Sequence, residues 1–194
     1  MRYRGNQGFT LGPIGFLIVA NLILYVATSV RPEFFIHLFG LSRSNFSAQP
    51  WTIVTNMFIH APFPSLWHIL ANMMTLYFFG GYLNRLIGGR NFFIIYFIGG
   101  IVGNIFYLFW GPLFTPAIGA SGAVFAVGGA LAVLKPNLRV IIFPIPAPIP
   151  LWVAVIGGFL IISFFPGVAW QAHLGGILFG LMLAYFFRRR YHTY

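Results

Sequence analysis

Four polar side chains interrupt the apolar runs of this 194-residue sequence in a way that suggests chemistry: His68, Asn72, Ser121 and His173. A serine hydroxyl becomes a nucleophile once a base takes its proton, and an imidazole is such a base. Histidine and asparagine side chains also donate hydrogen bonds to a developing oxyanion. The set therefore offers a nucleophile, a base and oxyanion donors, and it needs no carboxylate. That matters because Glu33 is the only carboxylate side chain in the chain. Aspartyl proteolysis, which needs two carboxylates sharing a proton, is excluded. A Ser-His-Asp triad is excluded unless Glu33 supplies its third member. HExxH and His/Glu metal sites are absent. With no Cys, thiolate nucleophiles, zinc-thiolate sites, iron–sulfur clusters and disulfides are excluded as well. No metal and no cofactor is expected.

Each residue sits in a local motif with two readings. Gly119-Ala120-Ser121-Gly122 follows Pro116. Its glycines allow a tight turn into a helix N-terminus, whose free backbone N–H groups can receive an oxyanion. Alternatively, Gly119 and Gly122 are small residues for close helix packing. Ala172-His173-Leu174-Gly175-Gly176 is followed by Gly180. Gly176 and Gly180 form a GxxxG face that lets one helix approach another bearing Ser121-Gly122 and Gly128-Gly129. His173 would then meet Ser121, or else bond to backbone. His68 and Asn72 share one helix face at i, i+4. They are either oxyanion donors or an interhelical polar clamp. His37, His60 and His192 lie outside the apolar runs.

The elements that must position these groups are membrane helices. Hydrophobic residues make up 59% and charged residues 6%, against about 25% charged in soluble domains. A soluble fold of this size could not cover its surface with so few charges. Six apolar runs have about the length of a membrane span: Pro13–Val30, Trp67–Asn84, Phe92–Trp110, Ala117–Leu134, Ile149–Phe165 and Trp170–Phe187. Prolines in Phe143–Pro150 keep a helix from starting earlier there. Arg2 and Arg4 precede the first run, which is long and lacks an Ala-x-Ala site, so it reads as an uncleaved span. The expectation is one polytopic all-α domain over residues 1–194, in the plasma (inner) membrane of a prokaryote.

A net charge of +10 invites a nucleic-acid reading, but the bases are dispersed in short clusters between apolar runs. Arg2, Arg4, Arg85, Arg90, Lys135, Arg139, Arg188, Arg189 and Arg190 fall on one side of the membrane, and Arg31 and Arg43 on the other. That is a topology signal, which puts both termini in the cytoplasm. No nucleic-acid partner is expected; membrane lipids are. The connection from Arg31 to Leu66 is long and contains Phe34, Phe35, Phe39, Phe46 and Trp51. It should fold onto the outer leaflet as short amphipathic elements.

The inner bases serve as depth rulers at about 1.5 Å per helical residue. Ser121 lies about 21 Å above Lys135, and His173 about 22 Å above Arg188. Asn72 and His68 lie about 20 and 25 Å above Arg85. In a core about 30 Å thick, all four sit at a similar depth near the outer side. Polar groups at such depth face a bundle interior or a wet cavity.

The combination HxxxN, GxSG and AHxxG near the outward ends of the second, fourth and sixth runs resembles the rhomboid family of intramembrane serine proteases. The resemblance covers roughly Trp51 to Phe187 and implies a six-helix rhomboid bundle with a Ser-His dyad that cleaves transmembrane substrates. It implies Ser121 as nucleophile and His173 as general base. It also implies an oxyanion hole of His68, Asn72 and the Ser121 backbone N–H. Trp51 matches the tryptophan of the family's Trp-Arg motif, but Thr52 stands where the arginine would be. Phe125 stands where many members have a tyrosine stacked on the histidine, and Asn84 where the family has a glutamate. Two other classes compete: a non-catalytic rhomboid-like protein that binds transmembrane helices, and a channel or transporter. The latter would lack any ion pair or carboxylate relay.

Overall fold

The computed structural model describes residues 12–141 and 146–191. Arg2, Arg4, His192 and Phe143–Ile145 of the Pro-rich stretch lie outside the described residues, and the side chains of Arg189 and Arg190 are likewise not described. The described chain is mostly helical: α1 (Pro13–Val30), α2 (Pro32–Phe39), α3 (Thr52–Thr55), α4 (Leu66–Thr75), α5 (Gly81–Ile87), α6 (Gly89–Trp110), α7 (Ser121–Leu134), α8 (Leu151–Ser163) and α9 (Trp170–Tyr191). Strands β1 (Arg139–Val140) and β2 (Ile149–Pro150) pair antiparallel, Arg139 opposite Pro150 and Val140 opposite Ile149. Pro13 and Pro32 open α1 and α2, where a missing N–H costs nothing and a fixed φ is already helical.

Among the described residues, three helices are long and apolar enough to cross a membrane: Pro13–Val30, Gly89–Trp110 and Trp170–Arg188. The protein is an integral membrane protein. The remaining apolar runs take other forms. The run expected over Trp67–Asn84 is a column of α4, a π-helical turn at Leu76–Gly80, and α5. α7 begins at Ser121 rather than Ala117. Ala117 exchanges backbone hydrogen bonds with Leu41 at 2.8 and 3.0 Å, and Gly119 has φ +118°, which a helix cannot continue. α8 begins at Leu151, because Ile149 and Pro150 are committed to β2.

α7 is the centre of the molecule. Its buried residues run from Gly122 through Leu134, as expected of a helix that is apolar all round. Small residues set how closely its neighbours approach. A Cβ at Gly176 of α9 would overlap the Gly122 carbonyl, and one at Gly180 would overlap the Ala126 carbonyl. From the other side, a Cβ at Gly99 of α6 would collide with Ala126. Gly128, by contrast, faces Val155 of α8. Backbone contact of this kind is how helices associate where no hydrophobic force distinguishes protein from lipid. At 14 residues, α7 is about 21 Å long, shorter than an about 30 Å hydrocarbon core.

The connection from Arg31 to Ser65 carries α2, α3 and a 3₁₀ turn at Asn56–Phe58. Side chains bind it to itself and to the α6–α7 loop. Trp51 Nε1 donates to the Leu38 carbonyl at 2.9 Å, Thr55 Oγ1 to the Phe39 carbonyl at 3.0 Å, and Arg43 Nη1 to the Gly111 carbonyl at 2.7 Å.

Candidate active site

Ser121 is the first residue of α7, directly after the Gly119-Ala120 turn. The first turn of a helix presents N–H groups with no intrahelical acceptor, so the hydroxyl is set beside backbone donors. The close approach of α9 to α7 then delivers the imidazole. His173 Nε2 and Ser121 Oγ are 2.7 Å apart. His173 is buried at 5% exposure, and its Nδ1 has no hydrogen-bond partner among the described residues. No acidic third member orients the ring. Phe125, one turn after Ser121 on α7, packs against it instead, with centroids 4.7 Å apart and planes at 34°. Phe125 is held from behind by Phe159 of α8, edge-on at 6.3 Å.

His68 approaches from α4. Its Nδ1 accepts the Ala61 N–H at 3.2 Å. In a neutral ring the other nitrogen, Nε2, must then carry the proton. Gly119 lies against that nitrogen. A Cβ built there would stand 2.6 Å from His68 Nε2 and 3.7 Å from Ser121 Oγ. Gly119 is thus a turn residue between His68 and Ser121, not a helix-packing glycine; Gly122, Gly176 and Gly180 do lie at helix contacts. Asn72 is buried, and its Nδ2 donates to the His68 carbonyl at 2.8 Å. One of its two N–H groups is therefore spent inside α4, and one remains.

These groups line one cavity of about 1000 Å³. His68, Asn72 and Thr75 of α4 form one wall, and Ala154 and Gly158 of α8 another, with Ser121, Phe125 and His173 at its end. The loop Phe165–Ala169 also borders it. Among the described residues, no cluster of His, Cys, Asp or Glu could hold a metal ion. Chemically, the arrangement provides a hydroxyl bonded to an imidazole, with a second imidazole nitrogen against the neighbouring Gly119.

Residues 47–190 match the family model described as the Rhomboid domain. The chain belongs to the rhomboid family. It is similar to "Rhomboid protein 1, mitochondrial" of Saccharomyces cerevisiae, at 30% identity over 78% of this chain and 46% of the relative. It is also similar to "RHOMBOID-like protein 12, mitochondrial" of Arabidopsis thaliana, at 31% identity over 82% of this chain and 54% of the relative. "Inactive RHOMBOID-like protein 8" of Arabidopsis thaliana matches too, at 29% identity over 73% of this chain and 40% of the relative. The chain spans about half the length of the first two relatives. Proteins named as rhomboid proteases and one named as inactive both match the chain.

Asn56 and Asn104 escaped the sequence reading, and His60 was noted there without a role. His60 is fully buried with its ring 5.0 Å from His68, and neither ring nitrogen has a partner among the described residues. Burial, aided by the neighbouring His68, pushes its pKa down from 6.5 to about 3. Asn56 and Asn104, both buried, pair with each other beneath the Gly119 turn. Asn104 carried a readable signal, a lone amide inside an apolar run. His60 carried none, since its burial depends on how the Arg31–Leu66 connection folds back.

Proposed function

We propose that this rhomboid is an intramembrane serine endopeptidase that cleaves transmembrane helices near the outer membrane face. The observation that carries the reading is the 2.7 Å contact between Ser121 Oγ and His173 Nε2 at the head of α7. Ser121 Oγ attacks a substrate peptide carbonyl as its proton passes to His173 Nε2. The oxyanion is received by His68 Nε2–H, the free N–H of Asn72 and the Ser121 backbone N–H. His173 returns the proton to the leaving amine as the C–N bond breaks, leaving an acyl ester on Ser121. Water then gives a proton to His173, attacks the ester and frees the serine. Phe125 orients the imidazole in place of a carboxylate.

Backbone inside a transmembrane helix is already hydrogen-bonded, so the substrate segment must unwind before Ser121 can reach it. Small residues at the cut and helix breakers nearby suit that requirement. The walls supplied by α4 and α8 support side entry between these helices, and the loop Phe164–Ala169 caps the water side. We read the chain as one domain of six spans, α4 with α5 forming the second. Both termini are then cytoplasmic, in a prokaryotic inner membrane; the names of two relatives place those proteins in mitochondria. Transmembrane proteins are the substrates and lipids the surroundings.

A fluorophosphonate probe tests this reading against that of a non-catalytic helix binder. Labelling should map to Ser121 and vanish in His173→Ala. No labelling of folded wild-type protein would support the binder.

A further inference from the structure

Asn104 of α6 and Asn56 of the outer connection form a reciprocal amide pair. Asn56 Nδ2 donates to Asn104 Oδ1 at 3.0 Å, and Asn104 Nδ2 donates to Asn56 Oδ1 at 2.8 Å. Asn104 Nδ2 also donates to the Ile53 carbonyl at 2.7 Å. Both residues are buried, at 2% and 4% exposure. A buried amide with unmade bonds is costly, and the reciprocal pair gives each side chain a partner. The pair therefore fixes one residue of the outer connection to one residue of a long membrane helix.

What that fixed residue holds is the turn before Ser121. The Asn56 carbonyl accepts the Gly119 N–H at 2.9 Å. Gly119 has φ +118°, which L side chains rarely adopt, and it lies between His68 Nε2 and Ser121 Oγ. Asn56, Asn104, Gly119 and Ser121 line one small void of about 10 Å³, so the amide pair and the turn are immediate neighbours. Thr52 Oγ1 makes a local bond to the Gln49 carbonyl at 2.6 Å.

We propose that Asn104 is a positioning residue: paired with Asn56, it sets the Gly119 turn and through it the placement of Ser121 against His68. It touches neither nucleophile nor base, and its effect travels through the Asn56 carbonyl. The proposal rests on the protease reading above. A displacement of about 1 Å at a reacting group can cost about 10²-fold in rate. Asn104→Ala should therefore lower kcat by about ten- to hundred-fold with KM nearly unchanged. Asn56→Ala should do the same, and the double variant should lose little more than either single, because the pair acts as a unit.

The test uses the full chain reconstituted with a transmembrane substrate. kcat, KM and thermal midpoint are measured for the parent, Asn104→Ala, the milder Asn104→Ser, Asn56→Ala and the double variant. Asn21→Ala, which removes a buried amide of α1, serves as a control expected to lose stability but not kcat. Amide hydrogen exchange over residues 117–121 supplies a readout independent of turnover. It should accelerate in Asn104→Ala while α7 stays protected. A folded Asn104→Ala with kcat within twofold of the parent, a change in KM alone, additive losses, or unaltered exchange at Gly119 would overturn the proposal. So would failure of both Asn104 variants to fold, which would assign a purely structural role. A folded parent that cleaves nothing would overturn the protease reading and this proposal together, which is a different result from an active parent with an active Asn104→Ala.

Discussion

His68→Phe separates an oxyanion donor from a helix clamp. Phenylalanine keeps a ring in contact distance of His60, whose centroid lies 5.0 Å from that of His68. It removes Nε2–H, the donor facing Gly119 and Ser121. It also removes the Nδ1 acceptor of the Ala61 N–H. Two magnitudes follow. Loss of one oxyanion donor costs about 10²–10³ in kcat, or about 2.7–4 kcal/mol of transition-state stabilisation. An unpaired Ala61 N–H costs about 1–3 kcal/mol of folding stability. For a chain of this size the melting midpoint falls by about 2–4 °C per kcal/mol. Asn72→Ala should cost less in kcat, since one Asn72 N–H is already committed to the His68 carbonyl. Turnover of reconstituted, folded protein is measured beside thermal unfolding, with KM determined separately. A His68→Phe protein that melts lower yet keeps kcat within threefold would refute the oxyanion role and leave the clamp. A larger kcat loss at Asn72 than at His68 would refute the assignment of the main donor.

Three further outcomes are expected. Gly176→Leu forces a side chain into the Gly122 carbonyl. It should destabilise the α7–α9 contact by about 1–3 kcal/mol or more and separate His173 from Ser121, seen as joint loss of melting midpoint and probe labelling. His60 is held neutral down to about pH 3 in the folded chain, against 6.5 ordinarily. Between those values the unfolded chain binds the extra proton, so stability falls as pH drops from about 6.5 toward 3; His60→Phe should flatten that limb of a midpoint-versus-pH curve. Activity should persist in strong chelator, because the proposed chemistry uses only serine, histidine and amide groups; zinc-restorable inhibition by chelator would contradict it.

The site was legible in sequence to the extent that lipid makes polar groups conspicuous. Ser121, His173, His68 and Asn72 stand out because each is expensive inside an apolar run. The glycines Gly176 and Gly180 pointed to the helix contact that brings His173 to Ser121. What sequence did not carry was the backbone outside regular helices. Gly119 reads as one more small residue until its φ and its contact with His68 are seen. The four-residue delay in the start of α7 comes from the Leu41–Ala117 bridge, a pairing across 76 positions that no local pattern announces. The π turn at Leu76–Gly80 left no period in the sequence distinct from that of its flanking helices. Asn104 is conspicuous as a lone amide in an apolar run, but nothing in the sequence shows that it faces Asn56.

The most direct measurement is cleavage of a transmembrane substrate in liposomes by the parent chain, Ser121→Ala, His173→Ala and the double variant, all shown to be folded. The account predicts a specific cut by the parent and its loss in each single variant. The double variant should lose little more, since nucleophile and base act as one unit. Cleavage by Ser121→Ala at a rate near that of the parent would contradict it.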